Sequence, residues 1–167
     1  MKTEPVRQSV IVRSDIAHTF HVFVRDIGLW WPTRTHSRGH GRVRGVHFEE
    51  WTGGRVYEAW DDGTESTWGT LLAWDPPTGF TMTWDILPPG TEVELRFRSL
   101  GPGLTRVELE HRGWQNLTRE QVAELAAERR DYHQGWAMIL ARFVAAAEPA
   151  ADAPSEPTAD AQGRNGG

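Results

Sequence analysis

Between Arg42 and Arg112 the chain is interrupted at short intervals by residues that favour turns. The breaks are Thr52-Gly53-Gly54, Asp61-Asp62-Gly63, Asp75-Pro76-Pro77, Pro88-Pro89-Gly90 and Gly101-Pro102-Gly103. Each combines glycine, which tolerates positive φ, or proline, which fixes φ near about −65°, with other turn formers. They delimit six expected strands: Arg42–Glu50, Arg55–Trp60, Ser66–Trp74, Gly79–Asp85, Thr91–Leu100 and Leu104–Arg112. Connections this short make consecutive strands antiparallel neighbours, so the segment reads as a meander. Val93, Leu95 and Phe97 share one face of their strand, against Glu92, Glu94, Arg96 and Arg98 on the other. Such a sheet is buried on one side only and needs a cover.

The flanking segments supply it. Val6 to Arg13 alternates as a further strand, and Ser14 is expected to cap a helix carrying Ile16, Phe20, Phe23, Val24 and Ile27, with Asp15 in its first turn. Gly28 interrupts that helix, Pro32 stops it, and a short helix or turn carries Trp30 and Trp31. After the sheet, Thr118-Arg119-Glu120-Gln121 has capping-box form, opening a helix expected to run to Ala147. Its apolar stripe is Val122, Leu125, Tyr132, Trp136, Ile139, Leu140 and Phe143. The order is β-α-α-β6-α, an α+β chain whose antiparallel sheet lies against a long C-terminal helix. One domain is expected over residues 4–147. Residues 148–167, EPAADAPSEPTADAQGRNGG, hold no aliphatic side chain larger than alanine and are expected to form a disordered tail.

Composition narrows the chemistry. With no cysteine, disulfides, thiolate nucleophiles and thiolate metal sites are excluded. The first residues lack the apolar core of a signal peptide and no run has the length of a membrane span, so a cytoplasmic protein is expected. A net charge of −5 gives no nucleic-acid footprint. The cluster Arg34, Arg38, Arg42 and Arg44 is expected to be a solvated loop and strand face. His18 and His21 are read as surface residues; His36, His40 and His47 fall in and beside a glycine-rich loop without a recognised ligand set, so no metal and no cofactor are expected. Nine tryptophans can furnish a core or line a pocket.

Several runs resemble the SRPBCC, or START-like helix-grip, superfamily, and within it the branch of homologues of the activator of heat-shock-protein-90 ATPase. They are Trp30-Trp31-Pro32, Gly53-Gly54-Arg55-Val56-Tyr57-Glu58, Trp68-Gly69-Thr70-Leu71-Leu72-Ala73-Trp74-Asp75-Pro76-Pro77 with Thr83-Trp84, Thr105 through Trp114, and Tyr132-His133-Gln134-Gly135-Trp136. The resemblance spans about Pro5 to Val144. It implies a helix-grip (START/Bet v-like) fold, a curved sheet wrapped around the C-terminal helix, with a deep cavity between them that many members use for lipids, polyketides or other apolar molecules. The branch takes its name from a co-chaperone with an additional N-terminal domain; this chain begins at the first helix-grip strand, which makes a chaperone partner the lesser expectation.

The candidate ligand-binding residues are His111, Glu58, Tyr57, Trp84, Trp114, Tyr132 and Trp136. His111 lies by parity on the face of Val107 and Leu109, where burial would lower its pKa. Tyr57 and Glu58 point to opposite faces. Glu58 shares parity with Val56 and Trp60, yet an exposed carboxylate at the sheet edge is the slightly favoured expectation; inside, it would need a partner such as His111 or an arginine. Trp84, Trp114, Tyr132 and Trp136 would wall a pocket with N–H and O–H donors. The leading expectation is binding of a small, largely apolar molecule between sheet and helix. One alternative is a cyclase, dehydratase or hydrolase using His111 and Glu58 as acid and base. Another is a chaperone-accessory module with an exposed aromatic surface near Trp30 and Trp31.

Overall fold

The computed structural model describes residues 4–86, 89–127 and 132–149. Seven strands, β1 (Val6–Val12), β2 (Val43–Phe48), β3 (Arg55–Trp60), β4 (Glu65–Asp75), β5 (Gly79–Trp84), β6 (Thr91–Gly101) and β7 (Leu104–Arg112), form one antiparallel sheet. Their spatial order is β1-β7-β6-β5-β4-β3-β2: the expected meander, with the N-terminal strand added to its far edge. The sheet curls into a half-barrel around the C-terminal helix, the helix-grip arrangement.

Between β1 and β2 lie α1 (Ile16–Val24) and α2 (Ile27–Trp30), and after β7 lie α3 (Arg119–Ala127) and α4 (Tyr132–Ala147). The cap of α1 is Asp15 rather than Ser14: its carboxylate accepts from the His18 N–H at 2.8 Å, while Ser14, one residue earlier, offers its carbonyl to the buried Thr105 hydroxyl. The capping box at α3 forms as expected, Thr118 and Gln121 exchanging side-chain to main-chain hydrogen bonds of 2.8 and 3.1 Å. The buried part of the C-terminal stripe belongs to α4, through Trp136, Ile139, Leu140, Phe143 and Ala147; Val122 and Leu125 of α3 are only half-buried. The expectation of one helix through residues 128–131 lies outside the described residues. So does most of the tail, although Glu148 is held by the main-chain N–H and guanidinium of Arg13 at 2.9 and 3.3 Å.

Strand parity governs the core. Thr105, Val107, Leu109 and His111 on β7, and Thr91, Val93, Leu95 and Phe97 on β6, all face inward. α4 lays Phe143 against Phe23 and Trp30, at ring-centroid distances of 5.0 and 5.3 Å. Further along, Trp136 meets Trp31 and Trp84 at 5.8 and 5.1 Å. Trp30 and Trp31 are only 3% and 5% exposed, so the aromatic surface expected there for a protein partner is instead part of the core.

Candidate functional site

Two polar groups sit among the aromatic rings. The first is His111. It is fully buried, and its neighbours are the rings of Trp84, Trp114, Tyr132 and Trp136 at 5.8, 4.4, 4.9 and 6.0 Å. Trp136 donates its indole N–H to Nδ1 at 3.0 Å. Because an indole can only donate, Nδ1 carries the lone pair and the ring proton resides on Nε2, which donates to the Thr91 hydroxyl at 2.8 Å. Burial pushes the imidazole pKa down to about 3, so the ring is neutral at physiological pH. Both ring nitrogens are engaged, by a side chain from β6 and one from α4.

The second group is Glu58, whose parity left its direction open. It points inward and is 0% exposed; the expected exposed carboxylate is therefore corrected. Its partners are neither His111 nor a guanidinium. Four N–H groups converge on it: the main chain of Arg38 (2.9 Å) and Gly39 (2.6 Å), and the indoles of Trp60 (2.7 Å) and Trp68 (2.6 Å). Desolvation is the largest influence on this carboxyl and raises its pKa, but the four donors together outweigh it and the net shift is downward. A carboxylate with its lone pairs filled this way can stay ionised in a core. It also fixes the segment before β2 over the sheet, because Arg38 reaches on to the carbonyls of Asp85 and Ile86. Arg34, Arg38, Arg42 and Arg44 are all exposed, as expected of a solvated face; within it Arg38 straps the loop down, and the Arg42 guanidinium stacks on Trp60 at 4.1 Å.

Glu58 and His111 belong to separate hydrogen-bond networks, linked through the Trp68 and Trp84 rings, whose centroids lie 6.0 Å apart. Tyr57 points to the other face of β3, against His47 (5.4 Å) and under the Arg55 guanidinium (4.3 Å). Trp84, Trp114, Tyr132 and Trp136 gather around His111, with the Trp114 N–H donated to the His111 carbonyl at 2.9 Å. Sequence reasoning missed Trp31 and Trp68, which complete the aromatic layer, and Thr91, the partner of Nε2. Thr91 was within reach, because it continues the inward parity of Val93, Leu95 and Phe97. The donors to Glu58 from Arg38 and Gly39 left no local signal, as they lie about twenty residues upstream.

Among the described residues, the interior bounded by Phe23, Ile27, Trp31, Trp68, Trp84 and Trp136 leaves a void of about 10 Å³. Tryptophan and phenylalanine rings supply much of its lining. Among the described residues no group of three His, Asp or Glu side chains is placed to hold a metal ion, and no helix is long and apolar enough to cross a membrane.

The profile of activator of Hsp90 ATPase homolog 1-like proteins matches residues 26–148. The chain belongs to that family. The match leaves out β1 and α1, which nevertheless complete the same sheet and core. Among solved structures, the anthrahydroquino-gamma-pyrone synthase Txn09, complexed with SUM, is 34% identical, with a TM-score of 0.55 over 87% of this chain and 99% of that one. CalC, a self-sacrificing resistance protein from Micromonospora echinospora, is 27% identical, with a TM-score of 0.63 over 86% and 93%. An AHSA1-like protein from Aeromonas hydrophila, at 21% identity and a TM-score of 0.54 over 83% and 90%, shares the fold. No curated protein sequence gives a significant match.

Proposed function

We propose that this family member binds a small, largely apolar aromatic molecule of polyketide type between the sheet and α4. The observation that carries the reading is the convergence of Trp31, Trp68, Trp84 and Trp136, from four separate parts of the chain, around one interior void beside the neutral His111. Flat rings stack or meet edge-on with such a lining, and the His111 ring beside it, with both nitrogens already hydrogen-bonded, does not compete for the guest. The likeness to the 34% identical synthase supports the same class of molecule. A void of about 10 Å³ holds no more than a water, so the guest enters as Trp136 and Tyr132, at the start of α4, give way. The cysteine-free composition suits a cytosolic setting for this role. The test is tryptophan emission and melting temperature against a panel of anthraquinones, aromatic polyketides, isoprenoids and fatty acids. Aromatic compounds should quench emission and raise Tm; a panel that changes neither overturns the proposal.

The synthase likeness also favours a second reading, in which the bound chain is folded for ring closure. In this geometry His111 and Glu58 are both fully hydrogen-bonded and do not face a common position, so the contribution would come from confinement rather than from an acid-base pair. Accelerated cyclisation of a linear poly-ketone precursor that survives His111→Gln would support it, and an uncatalysed rate would dismiss it.

A further inference from the structure

Six of the buried and half-buried indoles commit their N–H groups to protein acceptors. Trp30 donates to the Val22 carbonyl, Trp31 to the His36 carbonyl, Trp60 and Trp68 to Glu58, Trp114 to the His111 carbonyl and Trp136 to the His111 ring. Trp84 departs from this pattern. Its ring is 5% exposed, its Nε1 is buried, and no described residue accepts its proton. Native proteins pair nearly all such groups, because a buried donor without an acceptor forfeits its hydration and receives nothing in return. Trp84 also lines the interior void, together with Trp31, Trp68 and Trp136.

A water is a poor solution there. It needs two to four polar partners, and the other three indoles on the void have already committed their protons. No cationic side chain lines the void, so an anionic guest would be desolvated without compensation. What remains is a neutral acceptor that arrives on an apolar body. Resting on the binding function proposed above, we propose that the Trp84 N–H is the polar anchor of the bound molecule, and that the molecule is a flat aromatic ketone or quinone whose carbonyl oxygen accepts from Nε1. Trp84 then sets the orientation of the guest, and the surrounding rings supply the apolar contact.

The test compares 9-fluorenone with fluorene, which share a flat tricyclic frame and differ in the carbonyl. Dissociation constants are measured by calorimetry for the full chain and for Trp84→Phe, which keeps an aromatic ring and removes the donor. The preference for fluorenone, expressed as the ratio of the two constants, should fall by about tenfold in the variant, the size expected for one buried hydrogen bond. An unchanged ratio overturns the anchor and leaves the binding function standing. Failure of both probes to bind the unmodified chain overturns the binding function for this class of ligand, and the anchor with it; binding of fluorene alone overturns the anchor. A second readout serves if the variant does not fold: the Trp84 indole proton resonance should move downfield with fluorenone and not with fluorene, and equal responses to both reject the proposal.

Discussion

Glu58 is a charge placed in a core by four hydrogen bonds, and its energetics follow from them. Glu58→Gln keeps the shape but turns an amide NH₂ toward a ring of donors, leaving at least one buried N–H without an acceptor. The variant should lose about 2–4 kcal/mol, read from urea denaturation at pH 7. The pH dependence separates the two buried groups. His111 has a native pKa depressed to about 3 from 6.5, so the unfolded chain binds the extra proton and stability falls as pH drops below 6.5. The Glu58 carboxyl is also depressed; its contribution is complete above its ordinary value of 4.5 and is lost only as pH falls through the lower native value. Between pH 7 and pH 5 the imidazole alone should cost about 2 kcal/mol. A His111→Gln chain, whatever its absolute stability, should show that much less decline over the same interval; equal slopes would mean that the ring is already accessible to protons. The parity of β7 placed His111 inside from sequence alone. The direction of Glu58 stayed open because its solvation comes from main-chain groups at Arg38 and Gly39, contributed by a segment remote in sequence.

At the level of elements, the turns carried most of the information. Glycine and proline clusters set strand ends to within a few residues, and β3 and β7 begin and end as expected, because turn chemistry is local and register follows from short connections. Helix boundaries depend on which of two adjacent capping residues wins, hence the one-residue shift from Ser14 to Asp15. What the pattern did not reveal is where backbones touch. A Cβ on Gly69 would stand 1.8 Å from the Thr83 carbonyl oxygen across β4 and β5, where the Thr70 N–H bonds the Thr83 hydroxyl at 2.9 Å. Gly69→Ala must therefore push two central strands apart, at a cost of about 1–3 kcal/mol or more. Gly41, beside which an added Cβ meets nothing within 4 Å, provides the control: Gly41→Ala should stay within about 0.5 kcal/mol of the unmodified protein. Thermal denaturation of the two variants side by side decides whether the close approach is real.

For the whole molecule, the architecture was readable while the state of its interior was not. Alternation and amphipathic stripes identify which faces meet, but the volume left between them depends on how large side chains from distant elements interlock. Here Trp31, Trp68, Trp84 and Trp136 meet with centroids 4.9–6.2 Å apart, leaving a void of about 10 Å³ beside them. A chamber that must open before it is filled has a kinetic signature that an open one lacks. If the first turns of α4 must move before a guest enters, the observed association rate of 9-fluorenone, followed by tryptophan quenching in stopped flow, should rise with ligand concentration and then level off at the opening rate. Trp136→Leu removes a ring that lines the void and its bond to His111, so it should raise that plateau while lowering Tm by several degrees. A rate that climbs linearly to saturating ligand in the unmodified chain, and does not change in the variant, would mean that entry bypasses Trp136 and that the chamber opens elsewhere along the sheet.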